Sequence, residues 1–273
     1  MTHDVHVIAC GDPFQLPPIY ESEDNHLLDH PHIFLDEIMR QAYDSEIIRF
    51  SMWIRERKPI TQFPVKNEQV MLINKGDVSA GMFNWADQII CATNSKKQVI
   101  NNNMRQIKGF GENPQVGDKI ICLHNQWEFC STDKDCAPLM NGTIGYIDNI
   151  VMGTKRGPNW ICPDPIPVMY TDITTEDGHK FSRIPIDLTS VKTGEKFLDP
   201  QQEYSWRKTK YLGDPPFEFS YGYGITGHKS QGSEWDNVLV IEEDFPRGVV
   251  DHARHNYTTA TRARSKLVWQ KRD

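Results

Sequence analysis

Short apolar runs that end in polar turns occur in the first and last parts of the chain. Residues 5–10 and 86–92 form two such runs, and Gly11-Asp12 and Thr93-Asn94 follow them. Asn237–Ile241 and Lys266–Trp269 repeat the pattern near the end of the sequence. A short β-branched or apolar run stopped by turn residues predicts a buried strand that enters a loop.

Helical periodicity lies between these strands. From residue 35 to 58, three apolar side chains fall on one helical face: Ile47, Phe50 and Ile54. Asp44 or Ser45 is placed to cap this helix and Pro59 to end it. A second helix is predicted after Asn94, up to Arg105. Strand, loop and helix in this order predict an α/β layer with a parallel sheet.

The pattern changes near Gly117, where closely spaced short strands replace strand–helix alternation. Residues 117–123 predict a strand, and Asn141-Gly142 between two apolar pairs indicates a β-hairpin. Residues 150–212 are rich in Pro, Gly, Thr and Asp and contain short apolar strands such as 184–186. We therefore predict a small β-barrel-like insertion at about 117–212. Alternating aromatic residues from Phe217 to Tyr223 predict a further strand, at which the α/β pattern returns.

The charge balance limits the kinds of partner. The chain has 273 residues, with 30 Lys and Arg against 37 Asp and Glu, so its formal net charge is −7 at pH 7. Contact with nucleic acid therefore needs a local basic surface, because long-range attraction is weak. The first residues do not form a signal peptide, and no run approaches the roughly 18 apolar residues of a membrane span. We expect an intracellular, cytoplasmic protein without a membrane partner.

The six cysteines are dispersed and form no CxxC pair. A zinc site is one alternative for the stretch that contains Cys122, His124, Cys130 and Cys136. Its spacing matches no common pattern of zinc ligands, and cysteine is often a small buried apolar side chain. We favour that second interpretation and predict no metal ligand in the chain.

Four polar segments carry the candidate chemistry: Gly11–Pro18, Leu35–Gln41, Thr226–Glu234 and Tyr257–Arg264. The first follows a predicted strand, and ligands of parallel sheets bind beyond that edge. The third gathers hydroxyl and backbone N–H groups around Lys229, which suits a phosphodiester. In the fourth, Arg262 ends a predicted helix and is placed to neutralise a phosphoryl group. Taken alone, the first also fits a Pro-rich turn and the second a solvated helix face.

In this order and spacing, the four segments resemble the third to sixth motifs of superfamily-one DNA helicases. They are similar to the 5′-to-3′ branch, which contains RecD-like and Dda-like enzymes. The most specific parts are TGHKSQGSEW at 226–235 and YTTATRAR at 257–264. The resemblance implies an α/β fold: a second RecA-like helicase domain with a parallel sheet and an inserted SH3-like β-barrel module. Its parts are the tail of a first RecA-like domain (1–30), the second RecA-like domain (31–116 and 213–273) and the SH3-like module (117–212).

The resemblance also implies roles for matching residues. Gln15, Arg40 and Arg262 would contact the nucleotide γ-phosphate and support catalysis. A wider set would bind the nucleotide: Gly11, Asp12, Gln15, Arg40, Gly232, Glu234 and Arg262. A third set would hold single-stranded DNA: Thr93, Asn94, Thr226, His228 and Lys229. Two further basic groups, Arg207, Lys208 and Lys210 beside Trp206 and Arg55, Arg57 and Lys58, are interpreted as solvated surface, although the first group could add a stacking patch.

The sequence departs from this family at one point. The family carries a GxxxxGK[ST] phosphate loop and an acidic Mg²⁺-binding motif before its third motif. No such loop occurs in these 273 residues. The chain therefore looks like the C-terminal part of a helicase. ATP and Mg²⁺ are expected to be bound mainly by an N-terminal RecA-like domain, in cis or in trans.

Two functions follow from these observations. The first is an ATP-dependent 5′-to-3′ DNA helicase or translocase on single-stranded DNA, in replication, repair or recombination, whose C-terminal part alone is inactive. The alternative is a non-catalytic single-stranded-DNA-binding or interaction module derived from a helicase. Gln15, Arg40 and Arg262 favour the first, because a binding module needs no γ-phosphate sensor. The missing phosphate loop favours the second for the isolated chain.

Overall fold

The computed structural model describes residues 7–17, 30–34, 45–209 and 212–272, which fall into two compact units. Unit 1 comprises residues 1–93 and 226–273, and unit 2 comprises residues 94–225. The helices are α1 (Glu46–Arg55), α2 (Ala80–Trp85), α3 (Asn94–Ile107), α4 (Leu188–Thr193), α5 (Pro200–Arg207) and α6 (Val249–Ala260). The strands are β1 (Val70–Ile73), β2 (Gln88–Cys91), β3 (Lys119–Cys122), β4 (Gln126–Cys130), β5 (Pro138–Leu139), β6 (Ile144–Ile147), β7 (Val151–Lys155), β8 (Ile166–Thr175), β9 (Lys180–Asp187), β10 (Phe219–Tyr221), β11 (Gly224–Thr226), β12 (Trp235–Ile241) and β13 (Ala263–Gln270).

A parallel sheet forms the centre of unit 1. Four of its strands follow the order β1-β13-β12-β2, and every neighbouring pair among them is parallel. All four residues of β2 and the last four of β12 are buried. Continuous burial is typical of a parallel strand covered on both faces, which explains why these strands appear in the sequence as unbroken apolar runs. The predicted α/β fold with a parallel sheet is confirmed.

Helix α1 confirms the predicted helix before Pro59. The Ser45 side chain caps it by accepting a hydrogen bond from the N–H of Ile48 at 3.5 Å. The three predicted apolar residues, Ile47, Phe50 and Ile54, are buried, as are Glu46 and Ser51. Phe50 packs edge-on against Trp269 of β13, with 5.3 Å between ring centroids. This packing holds the helix on the sheet; the predicted part at 35–44 lies outside the described residues.

The prediction of a buried strand at residues 5–10 is wrong for its described part. Residues 7–10 are not in a strand, and the side chains of Val7 and Ile8 are 83% and 88% exposed. A β-branched run becomes a strand only where a neighbour pairs with its backbone N–H and C=O groups. None of the described strands pairs with residues 7–10.

Unit 2 contains an antiparallel sheet with the order β10-β3-β6-β8-β7, and β9 pairs with the other side of β8. Strand β10 is the one predicted at Phe217–Tyr223, but it pairs with β3 and not with the parallel strands. The hairpin predicted around Asn141-Gly142 is also wrong. These residues form a turn with Gly142 at φ 93°, yet β5 before them pairs with β4 and β6 after them pairs with β3.

A small apolar core in unit 2 buries Trp206. This core contains Cys162, Ile166, Val168, Leu198 and Trp206. The Trp206 indole is fully buried, and its N–H donates to the carbonyl of Gly213 at 3.0 Å. Trp206 therefore cannot stack on a nucleic-acid base, which corrects the stacking patch considered at 206–210; Lys210 lies outside the described residues.

None of the described helices is long and apolar enough to cross a bilayer.

Candidate functional site

The predicted functional residues of unit 1 lie at two opposite edges of its parallel sheet. At the amino edge, where β12 and β13 begin, the N–H of Trp235 donates to the carbonyl of Arg262 at 2.9 Å. At the carboxyl edge, the N–H of Glu242 donates to the carbonyl of Gln270 at 3.1 Å. β12 has seven residues, so the edges are about 20 Å apart at about 3.3 Å per residue.

The first segment lies against the fourth segment. The backbone N–H of Leu16 donates to the hydroxyl of Thr258 at 2.9 Å, and the Tyr257 hydroxyl donates to the carboxylate of Asp12 at 2.9 Å. The Asp12 carboxylate also accepts from the N–H of Phe14 at 2.9 Å, which shapes the turn that contains Gln15. The tertiary contacts therefore fix the position of this turn, and Gly11 precedes it with an exposed backbone.

Arg262 is held rigidly between the third and fourth segments. Its guanidinium donates to the carbonyls of Thr258 and Ser233 and to the hydroxyl of Thr261, each at 3.0 Å. Burial lowers the pKa of Arg262, against the opposing effect of Glu234 and nearby tyrosine and aspartate groups. The guanidinium remains charged, since arginine is not deprotonated in proteins. Three neutral acceptors orient this charge without neutralising it, which suits a group that stabilises an anion.

Glu234 and Gly232 lie on the same edge. The Glu234 carboxylate is 62% exposed and approaches the guanidinium of Arg264 at 3.7 Å. Arg264 also pairs with Asp236 at 3.3 Å. Gly232 has φ 83°, a left-handed conformation that favours glycine and turns the loop toward β12. Glu234 is thus accessible to a ligand, whereas the backbone shape around it depends on Gly232.

The third segment begins at the carboxyl edge. The N–H of Gly227 donates to the carbonyl of Cys91, at the end of β2, at 3.0 Å. The Ser230 side chain is fully buried and donates to the carbonyl of Gly227 at 2.7 Å. These bonds fix the loop and leave three of the predicted DNA-binding residues partly exposed: Thr226, His228 and Lys229.

Thr93 directly follows β2 at the same edge. Its hydroxyl and its N–H both donate to Glu243, the second residue after β12. The predicted residues Thr93, Thr226, His228 and Lys229 are therefore brought to one edge of unit 1, beside the end of β2. Asn94 is the first residue of helix α3. Arg40 lies outside the described residues.

Other residues at these edges were not predicted from the sequence. The Arg55 guanidinium, interpreted as solvated surface, lies over the Phe14 ring at 3.5 Å from its centroid. Both residues line a cavity of about 200 Å³ together with Tyr257. Glu243 was also missed. The presence of Phe14 in the first segment could have suggested a contact with a cation such as Arg55. The sequence around Glu243 gave no indication of its contact with Thr93.

The cysteines of the considered zinc cluster have other surroundings. Cys122 is buried and its thiol donates to the backbone carbonyl of His124 at 3.1 Å. The His124 ring forms a 2.6 Å contact with Glu218. The hydrogen bond to His124 lowers the pKa of Glu218, although burial acts in the opposite direction. His124 is therefore engaged by a carboxylate in this structure.

Two histidines near the third segment predict a pH dependence of stability. Burial lowers the pKa of His255, and burial also lowers the pKa of His228. Below the unfolded-state pKa of about 6.5, the unfolded chain binds protons that the folded chain does not. We expect the free energy of unfolding to fall as the pH decreases from about 6.5, by up to about 1.4 kcal/mol per pH unit for buried His255.

Urea unfolding at pH 7.5, 6.5 and 5.5 measures this effect. A His255→Gln variant, which does not titrate in this range, is the control and should show a shallower dependence. An equal slope in both proteins would contradict the assignment to His255.

One family model matches a part of the chain. Residues 221–268 match the model of the family described as UvrD-like helicase C-terminal domain, and this range contains the third and fourth segments. No curated protein sequence matches the chain. The resemblance to superfamily-one helicases is confirmed for this C-terminal part.

The chain is also similar to solved structures of helicases. The chain matches the Pif1 helicase from Candida albicans with a TM-score of 0.52 and 17% identity, over 97% of this chain and 63% of that chain. It matches Bacteroides Pif1 bound to ssDNA with a TM-score of 0.49 and 15% identity, over 96% and 61%. It matches Bacteroides Pif1 in complex with ADP-AlF3 and ssDNA with a TM-score of 0.47 and 14% identity, over 96% of this chain and 61% of that chain. The chain thus spans about three fifths of the length of these helicases, and the first match shows a fold like that of the second RecA-like helicase domain.

Proposed function

We propose that the chain is part of an ATP-dependent 5′-to-3′ helicase or translocase that acts on single-stranded DNA inside the cell. The supporting observation is the course of the loop 227–234. It starts beside Cys91 at the carboxyl edge and ends at Trp235 on the amino edge. On the way, the Gln231 amide donates to the carbonyl of Leu16 at 2.8 Å. One short segment therefore connects the residues proposed for DNA with those proposed for the nucleotide.

At the amino edge, the residues fit the γ-phosphate end of a nucleotide and not its whole binding site. Arg262 offers an oriented positive charge, and Gln15 lies in the turn fixed by Asp12. Arg40, which lies outside the described residues, is assigned to the same set by the helicase resemblance. Gly11, Asp12, Gly232 and Glu234 would shape or contact the nucleotide. ATP supplies the phosphoanhydride bond, and Mg²⁺ and the other phosphates are assigned to an N-terminal RecA-like domain, in cis or in trans.

At the carboxyl edge, the proposed DNA contacts use hydroxyl, amide and basic groups. Thr93, Thr226 and Lys229 are suited to phosphate oxygens, and burial lowers the pKa of the His228 ring, which favours its neutral form. Asn94 is included because it continues the segment after β2. Because the loop 227–234 is fixed at both edges, it would transmit a change at Arg262 to the residues that grip the strand. We also propose that the antiparallel strands of unit 2 form the SH3-like module of this helicase.

A second candidate function is a non-catalytic module that binds single-stranded DNA or another protein. The observation that favours it is the lack of a GxxxxGK[ST] loop in these 273 residues. The two candidates differ in whether Arg262 affects turnover once a phosphate loop is supplied. They agree on a role for Lys229 in DNA binding.

Lys229→Ala is expected to weaken binding of an oligo-dT strand by the chain, because it removes one phosphate contact. The wild-type salt dependence should be shallow, with about two or three phosphates at about −0.7 each in the log–log slope. The variant slope should be smaller by about 0.7. Fluorescence anisotropy at several salt concentrations measures both quantities.

Lys66→Ala is the matched control, since Lys66 is exposed and precedes β1 at the opposite edge of the sheet. It changes net charge equally but should leave the slope unchanged. Tight binding that Lys229→Ala does not affect would place the DNA surface elsewhere.

A further inference from the structure

The side chain of Glu243 is bound by backbone and hydroxyl donors of residues 92 and 93 at the carboxyl edge of unit 1. One carboxylate oxygen accepts hydrogen bonds from the N–H of Ala92 at 2.7 Å and from the N–H of Thr93 at 3.0 Å. The other oxygen accepts from the Thr93 hydroxyl at 2.7 Å. Both oxygens of one carboxylate are thus engaged by three donors of a single short segment.

The neighbouring carboxylate has a different environment. Glu242 is buried, accepts from the Trp269 indole N–H at 2.9 Å and contacts His252 at 3.3 Å. Hydrogen bonds from His252 and Trp269 lower the pKa of Glu242 although burial opposes them, as expected for an anchor inside the fold. Glu243 is only half-buried, and its hydrogen bonds go to residues 92 and 93. The Glu243 carboxylate can therefore exchange these hydrogen bonds for hydrogen bonds to water, whereas the buried Glu242 carboxylate cannot.

The three donors that Glu243 occupies are the kind that bind a phosphodiester. Backbone N–H groups and hydroxyls of threonine are common partners of nucleic-acid phosphates. A carboxylate offers two anionic oxygens that accept charge-assisted hydrogen bonds from the same donors. The Glu243 carboxylate and a DNA phosphate cannot bind these donors at the same time, because each needs the same N–H and O–H groups and like charges repel at short distance.

We propose that Glu243 is an internal phosphate mimic, which a phosphate of single-stranded DNA displaces from the N–H groups of Ala92 and Thr93 and the hydroxyl of Thr93. This inference rests on the proposed function, since it takes the strand-binding edge from it. Without a strand, Glu243 satisfies donors at the end of β2. When a strand binds, its phosphate takes the three donors and Glu243 turns to solvent. The exchange weakens the grip at this point and makes release of the strand easier.

Oligo-dT binding by Glu243→Gln tests the proposal in the full chain. A neutral amide holds the donors less strongly than a carboxylate, since charge-assisted hydrogen bonds are about twice as strong as neutral ones. We expect the variant to bind about tenfold more tightly than wild type. The gain should be lost in Thr93→Val/Glu243→Gln, because the valine has no hydroxyl to offer the phosphate.

Asp244→Asn is the matched charge control one position away. Asp244 pairs with Arg272 at 2.8 Å and makes no contact with Thr93 among the described hydrogen bonds, so the variant measures the general effect of removing one negative charge. Thermal unfolding of all variants verifies that each one is folded. Tighter binding by Glu243→Gln than by Asp244→Asn supports the proposal.

Two results would overturn it, and they are distinguishable. In the first, Lys229→Ala weakens oligo-dT binding but Glu243→Gln binds no more tightly than Asp244→Asn. The proposal that Glu243 mimics a phosphate is then wrong, and the proposed function stands. If neither wild type nor Glu243→Gln binds oligo-dT, the mimic and the proposed strand-binding function both fail.

Discussion

Arg262→Ala is expected to remove most DNA-stimulated ATP hydrolysis from a complex of this chain with a RecA-like domain that carries the phosphate loop. An arginine that stabilises a transferring phosphoryl group contributes about 10³–10⁵ in rate. The structure places the Arg262 guanidinium in fixed orientation, with its three hydrogen bonds directed to neutral oxygens. Turnover in the complex, supplied in trans or as a fusion, is the measurement, and single-strand binding should remain nearly unchanged.

Arg264→Ala is the matched control for this experiment. Arg264 is 52% exposed and pairs with Asp236 and Glu234 on the same edge. Exposed ion pairs contribute about 0–1 kcal/mol, so the DNA-stimulated turnover of this variant should fall by about fivefold or less. Arg262→Lys keeps the charge without the planar fork and should also be impaired. The chain alone, without the phosphate loop, should hydrolyse ATP at background rate, and parental turnover by Arg262→Ala in the complex would show that this arginine has another role.

Gly227→Ala is expected to destabilise unit 1 and to disrupt the third segment. A Cβ at this position would lie 2.7 Å from Nε2 and 2.9 Å from Cδ2 of His255, and 3.1 Å from a methyl group of Thr259. His255 is only 4% exposed, so its ring has little room to move. Overpacking of this kind costs about 1–3 kcal/mol. Because Gly227 bonds to the end of β2, its displacement should also weaken oligo-dT binding.

Gly76→Ala is the control, since a Cβ at Gly76 meets no atom within 4 Å. It should leave the unfolding midpoint in urea nearly unchanged. Gly227→Ala should cost less free energy of unfolding in a His255→Ala background than in wild type, because the clashing ring is then absent. Equal stability of Gly227→Ala and wild type would mean that the loop adapts without cost, and the proposed rigidity of the third segment would be wrong.

Local sequence patterns predicted the elements of unit 1 well where periodicity and burial coincide. The helical spacing of Ile47, Phe50 and Ile54 gave the buried face of α1, since side chains three and four residues apart share a face of a helix. The apolar run at 238–241 within β12 gave a buried parallel strand. The same reasoning failed for Val7 and Ile8, which have the composition of a strand but no pairing partner among the described strands.

The candidate site was predictable only as separate segments. The order of the four segments indicated a helicase resemblance, and the family match at 221–268 confirms it for the C-terminal part. Their division between two edges of a sheet required the strand order β1-β13-β12-β2. Burial of Trp206 likewise required the tertiary structure, because aromatic residues are used both in cores and on nucleic-acid surfaces.

The sequence by itself determined the buried face of α1, the strands β2, β12 and β13, the basic and hydroxyl composition of the third segment, and the lack of a phosphate loop, since each depends on residues close together in the chain. Only the tertiary structure decided which distant residues meet. Tyr257 reaches Asp12 across 245 positions, and Glu243 reaches Thr93 across 150. The second pair forms because β12 lies beside β2, and a sequence pattern limited to neighbouring residues carries no information about that adjacency.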